Sequence, residues 1–126
     1  MNKSRTILFI DDVKVCHTVV EMIFMGLDSY NLINVYSGSE ALKILSDKHQ
    51  DIDVIISDVT MNDFSGYELF EKLQNHEDYR TIPFILQSGF VDKTNTLSRH
   101  DGTRVPIIYK PYQRQELLEV IESVLP

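Results

Sequence analysis

Short apolar runs alternate with segments of helical periodicity along the chain. The first run, Thr6–Ile10, ends abruptly in two acidic residues. Four later runs have the same compact character: Leu32–Tyr36, Ile52–Ser57, Ile82–Leu86 and Ile107–Tyr109. They are apolar throughout instead of alternating with polar residues, which is typical of strands in a parallel sheet covered on both faces. The pattern therefore predicts five parallel strands.

Helical patterns lie between these strands. The apolar residues that recur at helical spacing after the first strand are Val15, Val19, Met22 and Ile23. We expect them, together with Met25, to pack in the core.

Later helices begin at two capping-box patterns, Ser37–Glu40 and Ser65–Glu68, and Glu116–Leu125 is amphipathic. Strands that alternate with helices predict right-handed βα units. The expected fold class for residues 1–126 is therefore α/β. We predict a single domain with a doubly wound five-stranded parallel sheet, in the flavodoxin-like order 2-1-3-4-5, and helices on both faces.

The segment between Gly89 and Val105 departs from this pattern. By topology it holds the fourth helix, yet Leu97 is essentially its one apolar residue after Val91, and Thr, Ser and Asn are frequent. These polar residues compete for backbone hydrogen bonds, so we expect a weak, frayed or mobile helix.

Composition narrows the class of protein. The formal net charge of −7 argues against direct binding of nucleic acid or an anionic membrane surface. No apolar run approaches the length of a membrane span, and the N-terminal residues do not resemble a signal peptide. The single cysteine, Cys16, rules out an internal disulfide and a multi-cysteine metal site. We expect a cytoplasmic protein.

Polar residues stand at the carboxyl ends of the predicted strands, where ligands bind in open parallel sheets. They are Asp11, Asp12, Asp58, Ser88 and Lys110. Carboxylates that converge in one crevice repel each other unless a cation lies among them, and Mg²⁺ suits carboxylate, water and phosphate ligands. A hydroxyl and a lysine beside a nucleophilic carboxylate complete a phosphoryl-transfer site.

Each of these residues also has an ordinary structural explanation. Asp12 can cap the first helix, Ser88 can bond to local backbone, and Lys110 can be a solvated surface lysine. That all five residues fall at the same edge of the predicted sheet favours the phosphoryl-transfer site over these separate explanations.

The chain resembles the receiver domain of two-component response regulators over essentially its whole length. The motifs that carry the resemblance are Asp11-Asp12, Asp58-Val-Thr-Met61 with Gly66 downstream, Ser88-Gly89 and Lys110-Pro111.

The resemblance implies a role for each site residue. Asp58 is the expected phosphoacceptor. Asp12 and Asp58 are expected to bind Mg²⁺ directly, Asp11 through water, and Thr60 through its backbone carbonyl. Ser88 is expected to bind a phosphoryl oxygen and to move on phosphorylation.

The resemblance also implies that Lys110 pairs with Asp58 or the phosphoryl group, and that the bond from Lys110 to Pro111 is cis.

Three departures from the family pattern bear on the switch. Asn62 stands where the family usually has proline, and Ile107 where it often has an aromatic switch residue. The segment Pro83–Phe90 only partly resembles a subgroup with a PF-x-F-A-T-G-aromatic signature. We therefore expect loop ordering, more than an aromatic flip, to report phosphorylation.

The partners implied are a histidine kinase or histidine phosphotransfer protein that docks near the first helix, and a downstream target protein. The chain is expected to be a monomer or a phosphorylation-dependent dimer. We expect it to be a phosphoryl acceptor with autocatalytic phosphotransfer and slow self-dephosphorylation, not an enzyme.

Two alternatives remain open at this point. One is a phosphorylation-independent interaction module with the receiver fold. The other is an aspartyl phosphohydrolase, although such enzymes usually carry an acidic residue at the position of Thr60.

Overall fold

The chain forms a five-stranded parallel sheet with helices on both faces, in a computed structural model described over residues 4–90 and 97–126. The strands are β1 (Arg5–Ile10), β2 (Tyr30–Val35), β3 (Val54–Asp58), β4 (Phe84–Ser88) and β5 (Ile107–Tyr109). The helices are α1 (Lys14–Phe24), α2 (Gly38–Lys48), α3 (Gly66–Gln74) and α4 (Arg114–Val124), with a 3₁₀ turn at His49–Asp51. The strand order β2-β1-β3-β4-β5 confirms the predicted topology.

The central strands are buried on both faces, as the continuous apolar runs predicted. Within β1, Ile7 and Phe9 pack against α1 and α4, whereas Leu8 and Ile10 pack in the opposite layer. All four side chains are fully buried.

The strand β4 begins two residues later than predicted and extends to Ser88. Gln87 therefore lies inside the strand, paired in register with Asp58, and its side chain is fully buried. Periodicity alone did not reveal this, because a buried glutamine is tolerated only where distant residues satisfy its amide.

The prediction for the apolar face of α1 is wrong in part. Val15, Val19 and Met22 are 47% to 65% exposed, and Met25 is also exposed. The buried residues of this helix are His17, Val20 and Phe24. The helix carries two apolar stripes, and spacing alone does not show which of them faces the sheet.

Of the segment between Gly89 and Val105, the described residues 97–105 contain no helix. They form a turn closed by an antiparallel bridge between Ser98 and Arg104, with Gly102 at a φ of +87°. The rest of the predicted weak helix, residues 91–96, lies outside the described residues.

No helix within residues 4–90 and 97–126 combines the length and the hydrophobicity needed to cross a membrane.

Candidate functional site

The carboxyl ends of β1 and β3 bring three acidic residues together. Asp11 and Asp12 directly follow β1, and Asp58 is the last residue of β3. One carboxylate oxygen from each lies within 4.8 Å of the others. Asp11 is fully buried, Asp58 is 7% exposed, and Asp12 lies at the mouth of the crevice.

Lys110, which directly follows β5, provides a positive charge in this crevice. Its Nζ lies 2.8 Å from Asp11 Oδ2 and 3.3 Å from Asp58 Oδ1. Burial lowers the pKa of Lys110, but the hydrogen bond to Asp11 and the charges of both carboxylates outweigh burial and raise the pKa above its usual value. The lysine is therefore an ammonium ion at neutral pH.

One lysine does not balance three carboxylates. Burial raises the pKa of Asp58, the charge of Lys110 opposes that rise, and the charges of Asp11 and Asp12 add to it, so that the pKa is about 6. A cation among the carboxylates would relieve this repulsion. The donor set consists of oxygen atoms, which are the ligands that Mg²⁺ prefers.

The crevice thus holds three carboxylates, a lysine and an oxygen-lined place for a hard cation. A family model described as the response regulator receiver domain matches residues 7–122. The chain belongs to this family. Receiver domains have the family role of accepting a phosphoryl group in two-component signalling.

Individual relatives agree with this membership. The chain is 26% identical over 119 residues to a chemotaxis protein CheY homolog of Campylobacter jejuni, and the match covers 94% of this chain and 91% of that protein. It is 30% identical over 89 residues to the two-component response regulator-like protein APRR7 of Arabidopsis thaliana. That match covers 71% of this chain but only 12% of the longer plant protein.

A solved structure with the same fold is the receiver domain of the sensor histidine kinase PA1611 from Pseudomonas aeruginosa. It has a TM-score of 0.78 at 23% identity, covering 96% of this chain and 97% of that one. That crystal structure contains a magnesium ion coordinated in its active-site cleft.

The remaining predicted residues of the receiver site differ in burial and in hydrogen bonding. Ser88 is buried at the end of β4, where its hydroxyl donates to Phe90 O at 2.9 Å and accepts from Phe90 N at 3.0 Å. Thr60 is exposed, two residues beyond β3. The bond from Lys110 to Pro111 is cis, as the resemblance implied.

The turn after β3 is closely packed at Gly66. Its N–H donates to Val59 O at 2.8 Å. A Cβ at Gly66 would lie 2.3 Å from the carbonyl oxygen of Asp58, so a side chain here would displace the end of β3.

Two residues behind Asp11 were not among the predicted site residues. Gln87 Nε2 donates to Asp11 Oδ2 at 2.9 Å, and Tyr112 donates through its hydroxyl to Gln87 Oε1 at 2.7 Å. Val13 N donates to the other oxygen of Asp11, Oδ1, at 2.9 Å. The one sequence feature that could have indicated Gln87 is its place at the end of an apolar run, directly before Ser88.

His17 was assigned no role from the sequence, yet it supports the backbone at the site. It is 1% exposed, and its Nε2 lies 2.7 Å from the carbonyl oxygen of Asp11. Its Nδ1 lies 2.7 Å from Asn34 Oδ1, and Asn34 Nδ2 donates to Glu21 at 3.0 Å. This chain of hydrogen bonds connects the end of β1 to α1 and β2.

Proposed function

We propose that this receiver domain accepts a phosphoryl group on Asp58 from a phosphohistidine donor in a two-component or phosphorelay pathway. The observation that supports this most is the convergence of three carboxylates with Lys110, whose Nζ lies 3.3 Å from Asp58 Oδ1. This arrangement places a nucleophile beside a permanent positive charge in a crevice with little solvent.

The transfer forms one bond and breaks one. An oxygen of Asp58 attacks phosphorus in line, and the phosphorus–nitrogen bond to the donor histidine breaks with its electron pair going to the ring nitrogen. The ammonium of Lys110 stabilises the charge on the transferring group, and it already lies 3.3 Å from Asp58 Oδ1.

Mg²⁺ fits the donor set, and we propose that Asp12 and Asp58 bind it directly, Asp11 through water, and Thr60 through its carbonyl oxygen. When bound, the ion supplies Lewis-acid neutralisation of charge on the phosphoryl oxygens. The magnesium seen in the PA1611 receiver domain supports this assignment by analogy.

Phosphorylation would add about −1.5 to −2 charge at Asp58 and strong acceptor oxygens. We propose that the Ser88 hydroxyl then leaves Phe90 and donates to a phosphoryl oxygen. Because that hydroxyl now anchors the start of the loop after β4, its movement would release and reorder the loop. Partner affinity then changes by a shift between two states.

We propose that the phosphodonor docks on the exposed apolar stripe of α1, formed by Val15, Val19 and Met22. This stripe borders a groove of about 180 Å³ that is also lined by Pro111 and Tyr112 and opens beside Lys110. A kinase or phosphotransfer protein that covers this surface would bury the stripe and bring its histidine to the crevice.

The docking surface can be tested separately from the chemistry. Met22→Asp is expected to slow transfer from a phosphohistidine protein and to leave phosphorylation by acetyl phosphate unchanged. Equal rates of transfer from the protein donor to both forms would contradict this surface.

The proposal extends to properties that follow from an acceptor role. The protein is a phosphoryl acceptor that catalyses its own phosphotransfer and slow dephosphorylation, and is not an enzyme with turnover. It acts in the cytoplasm on a downstream target protein, as a monomer or a phosphorylation-dependent dimer.

The central experiment is incubation with acetyl phosphate and Mg²⁺, read by intact-protein mass. Wild type should gain one phosphoryl group, and Asp58→Asn or chelation of Mg²⁺ should abolish the gain. Asp28→Asn changes an exposed aspartate just before the amino end of β2, at the opposite edge of the sheet from the crevice, and should not.

The outcomes separate the alternatives. If wild type gains no phosphoryl mass, the phosphorylation-independent module is favoured. If it hydrolyses many equivalents of a phosphate ester, it is a phosphohydrolase. Either result would overturn the proposal.

A further inference from the structure

The buried amide of Gln87 connects the acidic crevice to an aromatic residue beyond it. Gln87 is fully buried, and it donates to Asp11 Oδ2 at 2.9 Å. Its Oε1 accepts from the Tyr112 hydroxyl at 2.7 Å. The apolar pattern of β4 does not require a glutamine or this link at its end.

Asp11 and Tyr112 together hold the amide of Gln87 in one orientation. The carboxylate of Asp11 can only accept hydrogen bonds, so it requires the NH₂ group, and burial raises the pKa of Tyr112, so its hydroxyl stays protonated and can donate to the amide oxygen. The amide oxygen therefore faces Tyr112 and the NH₂ group faces Asp11. Rotating the amide would turn its oxygen toward Asp11 Oδ2, which is also an acceptor, and would leave that buried oxygen of Gln87 without a donor, which is costly.

Among the described residues, Asp11 Oδ2 accepts hydrogen bonds from Lys110 and Gln87, and only the lysine has a role in the reaction itself. Lys110 Nζ lies at 2.8 Å, closer to Asp11 than to Asp58. During phosphoryl transfer the lysine is needed at Asp58, whereas Gln87 is held within β4. Without Gln87, departure of Lys110 would leave this buried carboxylate oxygen with no donor among the described residues, so Asp11 would hold the lysine back.

We propose that Gln87, oriented by Tyr112, is a positioning residue that keeps Asp11 in place and allows Lys110 to move onto the phosphoryl group. This inference rests on the proposed phosphoacceptor function. Residues that orient a metal-binding or catalytic group typically change metal affinity or activity about 10- to 100-fold when they are replaced.

Two substitutions, at Gln87 and at Tyr112, test this link. Gln87→Met keeps a similar volume and removes both hydrogen bonds. Tyr112→Phe keeps the ring and removes only the hydroxyl that orients the amide. Matched controls are Gln50→Met, on an exposed glutamine, and Tyr109→Phe, whose hydroxyl has no hydrogen-bond partner among residues 4–90 and 97–126.

Three measurements on each variant separate positioning from stability. They are urea unfolding, Mg²⁺ affinity by calorimetry, and the rate of phosphorylation by acetyl phosphate at saturating Mg²⁺. We expect Gln87→Met to lower the phosphorylation rate about tenfold and to weaken Mg²⁺ binding, with a smaller effect of the same kind for Tyr112→Phe. The controls should match wild type in all three.

The result that would overturn the proposal is a folded Gln87→Met with wild-type Mg²⁺ affinity and phosphorylation rate, whether or not its stability falls. If Gln87→Met does not fold, Tyr112→Phe decides by the same criteria.

If the proposed phosphoacceptor function itself were wrong, the measurements would differ from those that overturn the positioning role. Wild type itself would then gain no phosphoryl group, and wild-type Mg²⁺ affinity in the Gln87 and Tyr112 variants would still overturn the positioning of Asp11.

Discussion

The carboxylate of Asp63 caps α2 from outside that helix. Its oxygens accept hydrogen bonds from Gly38 N at 3.2 Å, Ser39 N at 2.8 Å and Phe64 N at 2.9 Å. Gly38 and Ser39 are the first residues of α2, and their N–H groups have no acceptor within the helix. Asp63→Asn removes the negative charge and half of the acceptor capacity, so we expect it to destabilise the fold.

The size of the effect follows from the pKa of Asp63. Partial burial raises this pKa, but hydrogen bonds from Ser39, Phe64 and Gly38 outweigh burial and lower it from 3.8 to about 2. Without screening, that difference would be worth ~2.5 kcal/mol. Because Asp63 is exposed, solvent screening reduces the free energy to about 1 kcal/mol, close to the usual contribution of a helix cap. The corresponding fall in Tm is ~4 °C.

The same pKa determines how the effect depends on pH. Since the pKa is lower in the folded state than in the unfolded state, Asp63 contributes fully above about pH 4, and its contribution is lost as the pH falls through about 2. The difference in urea midpoint between wild type and Asp63→Asn should therefore be present at neutral pH and shrink as the pH approaches 2.

The control is Asp28→Asn, because Asp28 is exposed and has no side-chain hydrogen bond within residues 4–90 and 97–126. Its urea midpoint should match wild type at both ends of the pH range. Equal midpoints for wild type and Asp63→Asn at neutral pH would refute the capping role, as would a difference that stays constant down to pH 2.

Three further substitutions should lower the free energy of unfolding, measured by urea denaturation. Gly66→Ala puts a methyl group 2.3 Å from a backbone carbonyl oxygen of β3 and should cost about 1–3 kcal/mol, whereas Gly89→Ala, with no described atom within 4 Å, should cost much less; equal losses would contradict this. His17→Leu removes the ring nitrogens that lie 2.7 Å from the buried carbonyl oxygen of Asp11 and from Asn34 Oδ1, and should cost ~1–3 kcal/mol, so a gain in stability would be unexpected. Leu73→Ala empties a buried position in the core cluster that also contains Leu69 and Phe84, and it should cost about 2–5 kcal/mol; a cost below ~1 kcal/mol would show that the site collapses.

The strand-end residues could be predicted from the sequence because topology fixes their place. In a parallel sheet all carboxyl ends of the strands meet at one edge, so Asp11, Asp58 and Lys110 had to converge once the strands were identified. The continuous apolar character of β1, β3 and β4 was enough for that identification.

The supporting residues could not be predicted because their partners are distant in sequence. Gln87 and Asp11 are separated by 76 positions, and Tyr112 and Gln87 by 25. Their hydrogen bonds depend on side-chain direction within β4 and beyond β5, which no local pattern specifies. The face of α1 was mispredicted for a similar reason, since the choice between two apolar stripes is made by contact with the sheet.

Buried polar side chains mark the positions at which the residue type lowers the stability of this fold. Within residues 4–90 and 97–126 the buried polar side chains are Asp11, His17, Ser57, Asp58, Gln87 and Ser88. Apart from His17, which bonds to the backbone of Asp11, they lie at the carboxyl ends of β1, β3 and β4. Apolar side chains of similar volume would stabilise these positions, as they do along the rest of the same strands. A set of costly residues confined to one edge of the sheet is expected where function, and not folding, determines the side chains.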